Sequence, residues 1–124
     1  MADQGRGMLY FPALNFAAGN SDISHDMLTH PHTVPGLGDG GAHVSFISDA
    51  SFCTYLLTHW ARDRERGKRI PLEYLIKSQT RDTAEVVGLF DRGLIASGLK
   101  ADINIIDFDK FRIEYLLNLA FECD

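Results

Sequence analysis

Cysteine is scarce in this sequence. Its two thiols, Cys53 and Cys123, stand far apart with no CxxC spacing, which excludes the dense disulfide framework that staples small secreted domains and points to reduced thiols. Long apolar runs are missing too. The stretch from Met8 to Phe16 is broken by Pro12 and Asn15, and nothing approaches the ~20 consecutive apolar residues of a membrane-spanning helix. The segment before it carries Asp3 and Arg6, so no signal-peptide core is expected. The expected setting is the cytoplasm, without a membrane. Positive charge is in the minority, with 12 Lys+Arg against 17 Asp+Glu and a formal net charge of -5, which disfavours nucleic acid or an anionic surface as partner. The chain has no Gly-x-Ser-x-Gly and no GxxxxGK[ST], so the nucleophile-elbow and phosphate-loop templates are excluded. Internal repeats and low-complexity tracts are lacking as well.

What remains is 124 residues, 45% hydrophobic, enough for one compact domain but not for two well-filled ones. Met8 to Phe16 suits an edge strand or extended loop, because Pro12 removes a backbone donor. Gly19 to Asp22 reads as a turn. A short helix is expected over Ile23 to Thr29, capped by Ser21 or Asp22 and ended before Pro31, since the residue preceding proline avoids the α region. Thr33 to Gly38 is consistent with a short buried strand, and Asp39-Gly-Gly-Ala-His43 with a sharp bend or close backbone approach. Asp49 or Ser51 can cap a helix whose Phe52, Leu56, Leu57 and Trp60 recur near the 3.6 period, with the charges of Arg62 to Arg66 in its last turn and Gly67 as its stop. Pro71 suits the first turn of another helix, and Thr80 to Val87 a further one ending at Gly88. A Ser97-Gly98 turn then precedes Ala101, Ile103 and Ile105, which alternate with Asp102 and Asn104 as a half-buried strand does. Phe111 to Asp124 reads as a short amphipathic helix.

Several residue groups can carry chemistry, each with a plainer alternative. Asp39 follows an apolar strand and precedes two glycines, so its carboxylate can sit at a strand's C-terminal end and accept a proton from a polarised water; it can equally satisfy amides of its own turn. His30-Pro-His32 has the spacing at which two imidazoles on a strand bind one metal, but Pro31 and the preceding helix favour an exposed connection. Adding His25 and His43 brings four imidazoles close in sequence, with no nearby cysteine and no structural-zinc spacing. His59 reads as a helix-surface residue, and Trp60 as core or interface. Cys53 lies near a helix start, which can stabilise a thiolate, but no histidine is placed to act as its base. Arg62-Asp-Arg-Glu-Arg66 reads as a solvated helix end.

The run His30-Pro-His-Thr-Val-Pro-Gly-Leu-Gly-Asp-Gly-Gly-Ala-His-Val44, followed by Asp49 to Phe52 and Thr54 to Arg64, closely resembles the C-terminal part of the N-acyl-D-amino-acid deacylase branch of the amidohydrolase superfamily. Tyr10-Phe-Pro and Asn15-Phe-Ala, Thr80-Arg-Asp-Thr-Ala84, Gly88 to Gly93 and Gly98 to Asp102 continue the likeness, which spans roughly Leu9 to Phe111. It implies an α/β chain: a partial, C-terminal segment of a metal-dependent (β/α)8 barrel, holding the last strand and following helices, plus the start of the small β domain. The implied divisions are 1–90 for the barrel portion, 91–112 for the start of the small domain and 113–124 for a divergent tail.

By the same resemblance Asp39 matches the aspartate at the end of strand 8, which takes a proton from metal-bound water and passes it to the departing amine. His43 is a substrate-binding candidate. Zinc is the cofactor implied for the parent family and an N-acyl-D-amino acid its substrate. The family's metal ligands come from earlier strands with no counterpart here, and a complete barrel takes ~250 residues. The expectation is therefore a fragment that is inactive alone and holds no metal. The competing expectation is a non-catalytic module that pairs with itself or with a separate N-terminal half through unpaired strand edges.

Overall fold

The structure, a computed structural model, describes residues 15, 16, 18–38, 40 and 49–113. The chain divides into two units, Met1–Thr33 and Val34–Asp124. Most of the Met8 to Phe16 stretch, and all of the expected C-terminal helix beyond Ile113, lie outside the described residues.

In the first unit a turn leads into helix α1, Asp22–Leu28. The turn closes through the Gly19 amide on the Phe16 carbonyl at 2.9 Å, with Gly19 at φ +68°. Ser21 occupies the capping position, yet its side chain makes no capping bond. The Asn20 Oδ1 accepts the Asp22 amide instead, at 2.9 Å, an Asx turn that satisfies one of the donors a helix start leaves open. The helix ends as expected before Pro31: both the amide and the hydroxyl of Thr29 donate to the His25 carbonyl.

The second unit is built on two helical stretches. The first, α2, covers residues 49–63 as a 3₁₀ turn at Asp49–Ser51, an α segment at Phe52–Tyr55 and a wide π turn at Leu56–Asp63. The second, α3, covers residues 72–86 as Leu72–Lys77, a π segment at Ser78–Asp82 and a final α turn at Thr83–Val86. The two separate helices expected after Pro71 are thus one continuous stretch. Both π segments coincide with threonine back-bonding: Thr58 Oγ1 donates to the Thr54 carbonyl at 3.0 Å and Thr80 Oγ1 to the Ile76 carbonyl at 2.7 Å. In each, a hydroxyl takes the carbonyl four residues back that an α-helical amide would use, which favours widening of the turn.

α2 and α3 pack on each other and supply most of the buried apolar residues: Leu56, Leu57 and Trp60 from α2, Leu75 and Ala84 from α3, with Ile70 from the connection. Ile70 and Leu75 are each only 1% exposed, and full burial of such a side chain stabilises by about 1.5–3 kcal/mol. α3 stops at Gly88, φ +78°, where the Gly88 amide bonds the Glu85 carbonyl and the Leu89 amide the Ala84 carbonyl at 2.8 Å. That pair of bonds is the glycine-closed helix end in which a left-handed residue caps the last carbonyls.

Three expectations are corrected. The α/β reading required strands at Thr33 to Gly38 and Ala101 to Ile105, but no strand occurs among the described residues. A strand exists only through its ladder, and among the described residues neither segment is paired in one. Period-2 alternation therefore leaves Ile103 and Ile105 exposed, at 60% and 97%. In the charged run Arg62 to Arg66, Asp63, Glu65 and Arg66 are exposed as a solvated end requires, but Arg64 is not. The helix stops at Asp63, Gly67 is not its cap, and Arg64 turns to extended backbone and is buried. The third concerns His59, which is half-buried with its Nε2 enclosed rather than lying on an open helix face.

Candidate functional site

The bend after Thr33 to Gly38 is where the sequence concentrates its candidate chemistry. Asp39 and His43 themselves lie outside the described residues. Gly40 does not, and it is pressed against the start of α2. A Cβ built on Gly40 would fall 2.5 Å from the Ala50 Cβ and 2.6 Å from the Ala50 amide nitrogen. Since no real side chain tolerates such contacts with backbone, only glycine fits beside Asp39, in keeping with the expectation of a close backbone approach.

The His30-Pro-His32 pair is exposed, with ring centroids 5.5 Å apart and planes tilted by 58°. The His32 amide donates to His30 Nδ1 at 3.2 Å, which leaves Nε2 of a neutral His30 carrying the proton. A metal could take that nitrogen only by displacing this bond. His25 instead faces its neighbour, with Nδ1 3.4 Å from Asp26 Oδ1. Among the described residues no group of three or more His, Cys, Asp or Glu side chains converges on one point. These residues do not fit the zinc ion implied by the resemblance, and no step through a metal is assigned to them.

Trp60 is core, 4% exposed, and organises the end of α2. The Arg64 guanidinium lies over its ring at 4.5 Å, His59 meets its edge at 5.1 Å, and Tyr55 stacks on His59 at 4.8 Å. Burial, reinforced by the positive charge of Arg64 and partly opposed by Asp63, holds the His59 imidazole below its ordinary pKa. Partial burial pushes the Cys53 thiol up, outweighing a backbone hydrogen bond that lowers it, so the helix start does not make Cys53 a thiolate at neutral pH.

Two arginines hold the unit together: Arg62, which the sequence places in a solvated charge run, and Arg81, which it places in the Thr80 to Ala84 motif. Arg62 Nη1 donates to the carbonyls of Phe108 and Phe111, at 2.5 and 2.8 Å, while its Nε and Nη2 bind the Asp63 carboxylate. That paired hydrogen bond holds Asp63 below the usual carboxylate range. A cleft of about 540 Å3 opens beside it, lined by Arg62, Asp109, Lys110, Phe111 and Arg112. The Arg62 donors are already committed, and this wall offers no imidazole or thiol.

Arg81 does the same for the following loop. Its Nη1 reaches the carbonyls of Phe90 and Arg92, both at 3.3 Å, and its Nη2 pairs with Glu85 at 2.6 Å. Gly93, φ +82°, then passes so close to α3 that a Cβ there would lie 2.7 Å from the Arg81 Cα. The Lys100 amide bonds the Asp91 carbonyl at 2.7 Å, and Asp102 sits between Lys100 and Arg92, at 3.2 and 3.7 Å. Thr80 to Ala84, Gly88 to Gly93 and Gly98 to Asp102 thus meet as one clamp. The two glycines and the arginine were legible as a motif, whereas their mutual contact was not.

Residues 7–115 match the Amidohydrolase family. The match spans most of the chain and stops close to Arg112, where the likeness noted in the sequence ends. No curated protein and no solved structure matches the chain.

Proposed function

The chain belongs to the amidohydrolase family, and from that premise we propose that its 124 residues supply the last-strand end of an enzyme that hydrolyses the amide bond of N-acyl-D-amino acids. The observation that carries the reading is the family match across the Asp39-Gly-Gly-Ala-His43 bend. In the reaction, water adds to the amide carbonyl, the C–N bond breaks, and the departing nitrogen must gain a proton. Asp39 is the group assigned to carry that proton. The fit of Gly40 against Ala50 supports the reading in that the position following Asp39 admits only glycine. His43 is assigned to the substrate. The ligands for zinc are assigned to other strands of the barrel, so the 124 residues are inactive by themselves. The setting is the cytoplasm; the widely spaced cysteines support it, and no helix of the described residues is long and apolar enough to cross a membrane.

The test is an assay with N-acyl-D-amino acids and added zinc. The chain alone should give no turnover. Mixed with a separately produced N-terminal half of an N-acyl-D-amino-acid deacylase, it should give turnover that Asp39→Asn abolishes. Turnover by the chain alone that depends on Asp39 would overturn its inactivity, and turnover in the mixture indifferent to Asp39→Asn would overturn the assignment of the proton carrier.

A second reading, association without catalysis, is favoured by one observation. Ile103 and Ile105 alternate with Asp102 and Asn104 in a segment with no ladder, and both isoleucines are exposed. A strand of a second copy or of an N-terminal half would cover them. Sizing the chain alone and after mixing should show a defined complex; a monodisperse monomer indifferent to the other half would count against it.

A further inference from the structure

The corner between α2 and α3 holds the chain's single tryptophan beside a histidine whose enclosed nitrogen has no acceptor. Among the described residues, His59 Nε2 is buried without a hydrogen-bond partner. Its ring is fixed on both sides, stacked on Tyr55 at 4.8 Å and set edge-on to Trp60 at 5.1 Å. The backbone of the same two residues closes the corner: the His59 carbonyl accepts the Arg64 amide at 2.8 Å, and the Trp60 carbonyl accepts the Ile70 amide at 2.9 Å. The Arg64 guanidinium already occupies the Trp60 face.

A neutral imidazole suits this place. A protonated one would bury an N–H with nothing to receive it and set a second cation beside Arg64, in surroundings that screen poorly. The charges that act on the ring are Arg64, which opposes protonation, and Asp63, which favours it. Asp63 is largely spent on Arg62, and Arg62 and Arg112 share the cleft beside His59. α3, packed on this stretch of α2, adds no charge to the ring's surroundings among the described residues.

We propose that this corner is an acid-sensitive latch: a neutral His59 keeps the end of α2 seated against Arg64 and Ile70, and a protonated His59 releases it. The lowered pKa of the imidazole agrees in sign. A base whose pKa is depressed by folding binds its proton better in the open state, so the closed corner is fully favoured above the ordinary histidine value of about 6.5 and loses ground as pH falls below it.

Trp60 and the two amides that close the corner report the release directly. From about pH 8 down to about pH 5, above the carboxylate range, the Trp60 emission maximum should shift to the red and hydrogen-exchange protection of the Arg64 and Ile70 amides should fall. His59→Gln, which keeps a neutral polar side chain, should show neither change, although His25, His30, His32 and His43 remain. A wild-type corner that stays protected throughout, or a His59→Gln profile superimposable on it, overturns the proposal. Should His59→Gln be open already at pH 8, the wild-type imidazole resonance of His59 decides: it must titrate below the ordinary histidine value of about 6.5, and titration at or above that value overturns the latch.

Discussion

Replacing Gly93 by alanine separates two reasons for a glycine that usually act together. Gly93 and Gly98 share nearly the same left-handed backbone, φ +82° and +84°, so alanine at either position pays the same conformational penalty of roughly 1–2 kcal/mol. Each is offset by the same loss of unfolded-chain freedom, about 0.4–1 kcal/mol. The surroundings differ. Around Gly98 nothing lies within 4 Å of a new Cβ, whereas at Gly93 it would meet the Arg81 Cα at 2.7 Å, the Arg81 nitrogen at 2.9 Å and the Thr80 carbonyl carbon at 2.9 Å. Helix backbone cannot swing aside as a flexible side chain can. The loop must move away instead, taking the Phe90 and Arg92 carbonyls off Arg81. Forcing a methyl into such contact costs about 1–3 kcal/mol, so Gly93→Ala should be less stable than Gly98→Ala by that difference. Urea unfolding followed by Trp60 emission measures it, provided the two variants share the wild-type slope. If Gly93→Ala proved no less stable than Gly98→Ala, the clamp of the 88–93 loop onto α3 would be refuted.

Two further outcomes test the packing. Leu75→Ala, at a site 1% exposed, should cost about 2–5 kcal/mol in urea midpoints converted at constant slope, and a loss under about 1 kcal/mol would show that α3 does not seat its core residue as described. Arg62→Ala removes the donor shared by the Phe108 and Phe111 carbonyls. It should accelerate exchange of the Lys110 and Phe111 amides, both bonded to the Asp107 carbonyl, while leaving the Gly88 and Leu89 amides at the end of α3 protected. Unchanged exchange at Lys110 and Phe111 would mean that the turn holds itself without the arginine.

Local signals agree with the structure at three places, whereas Ser21 makes no capping bond and Gly67 does not end α2. Pro31 ended α1, Gly88 ended α3, and Gly98 supplied the turn between Ala96 and Leu99, whose amide bonds the Ala96 carbonyl at 3.2 Å. Each of these is a short-range matter of backbone sterics and open helix-end groups. Where the cause was distant, the sequence misled. The alternation of Ile103 and Ile105 satisfies the pattern of a strand, but pairing needs a second segment that the pattern does not contain. Arg62 lies in a run of alternating charge that resembles a solvated end, yet it reaches carbonyls at 108 and 111; Arg64, in the same run, covers the indole of nearby Trp60 where the backbone has turned extended. His59 is a different case: Tyr55 and Trp60, which contact its ring, are near it in sequence, and only their packing encloses Nε2.

By itself, then, the order of residues determined the family, the helix limits set by proline and glycine, and the identity of Asp39 as the carboxylate worth testing, because all three depend on short motifs whose chemistry is carried by adjacent residues. Only the tertiary structure decided which charges are buried, which glycines are compelled by contact, and that one imidazole encloses a ring nitrogen with no hydrogen-bond partner among the described residues. Those properties come from low-dielectric contacts that only folding assembles, and no spacing along the chain encodes them.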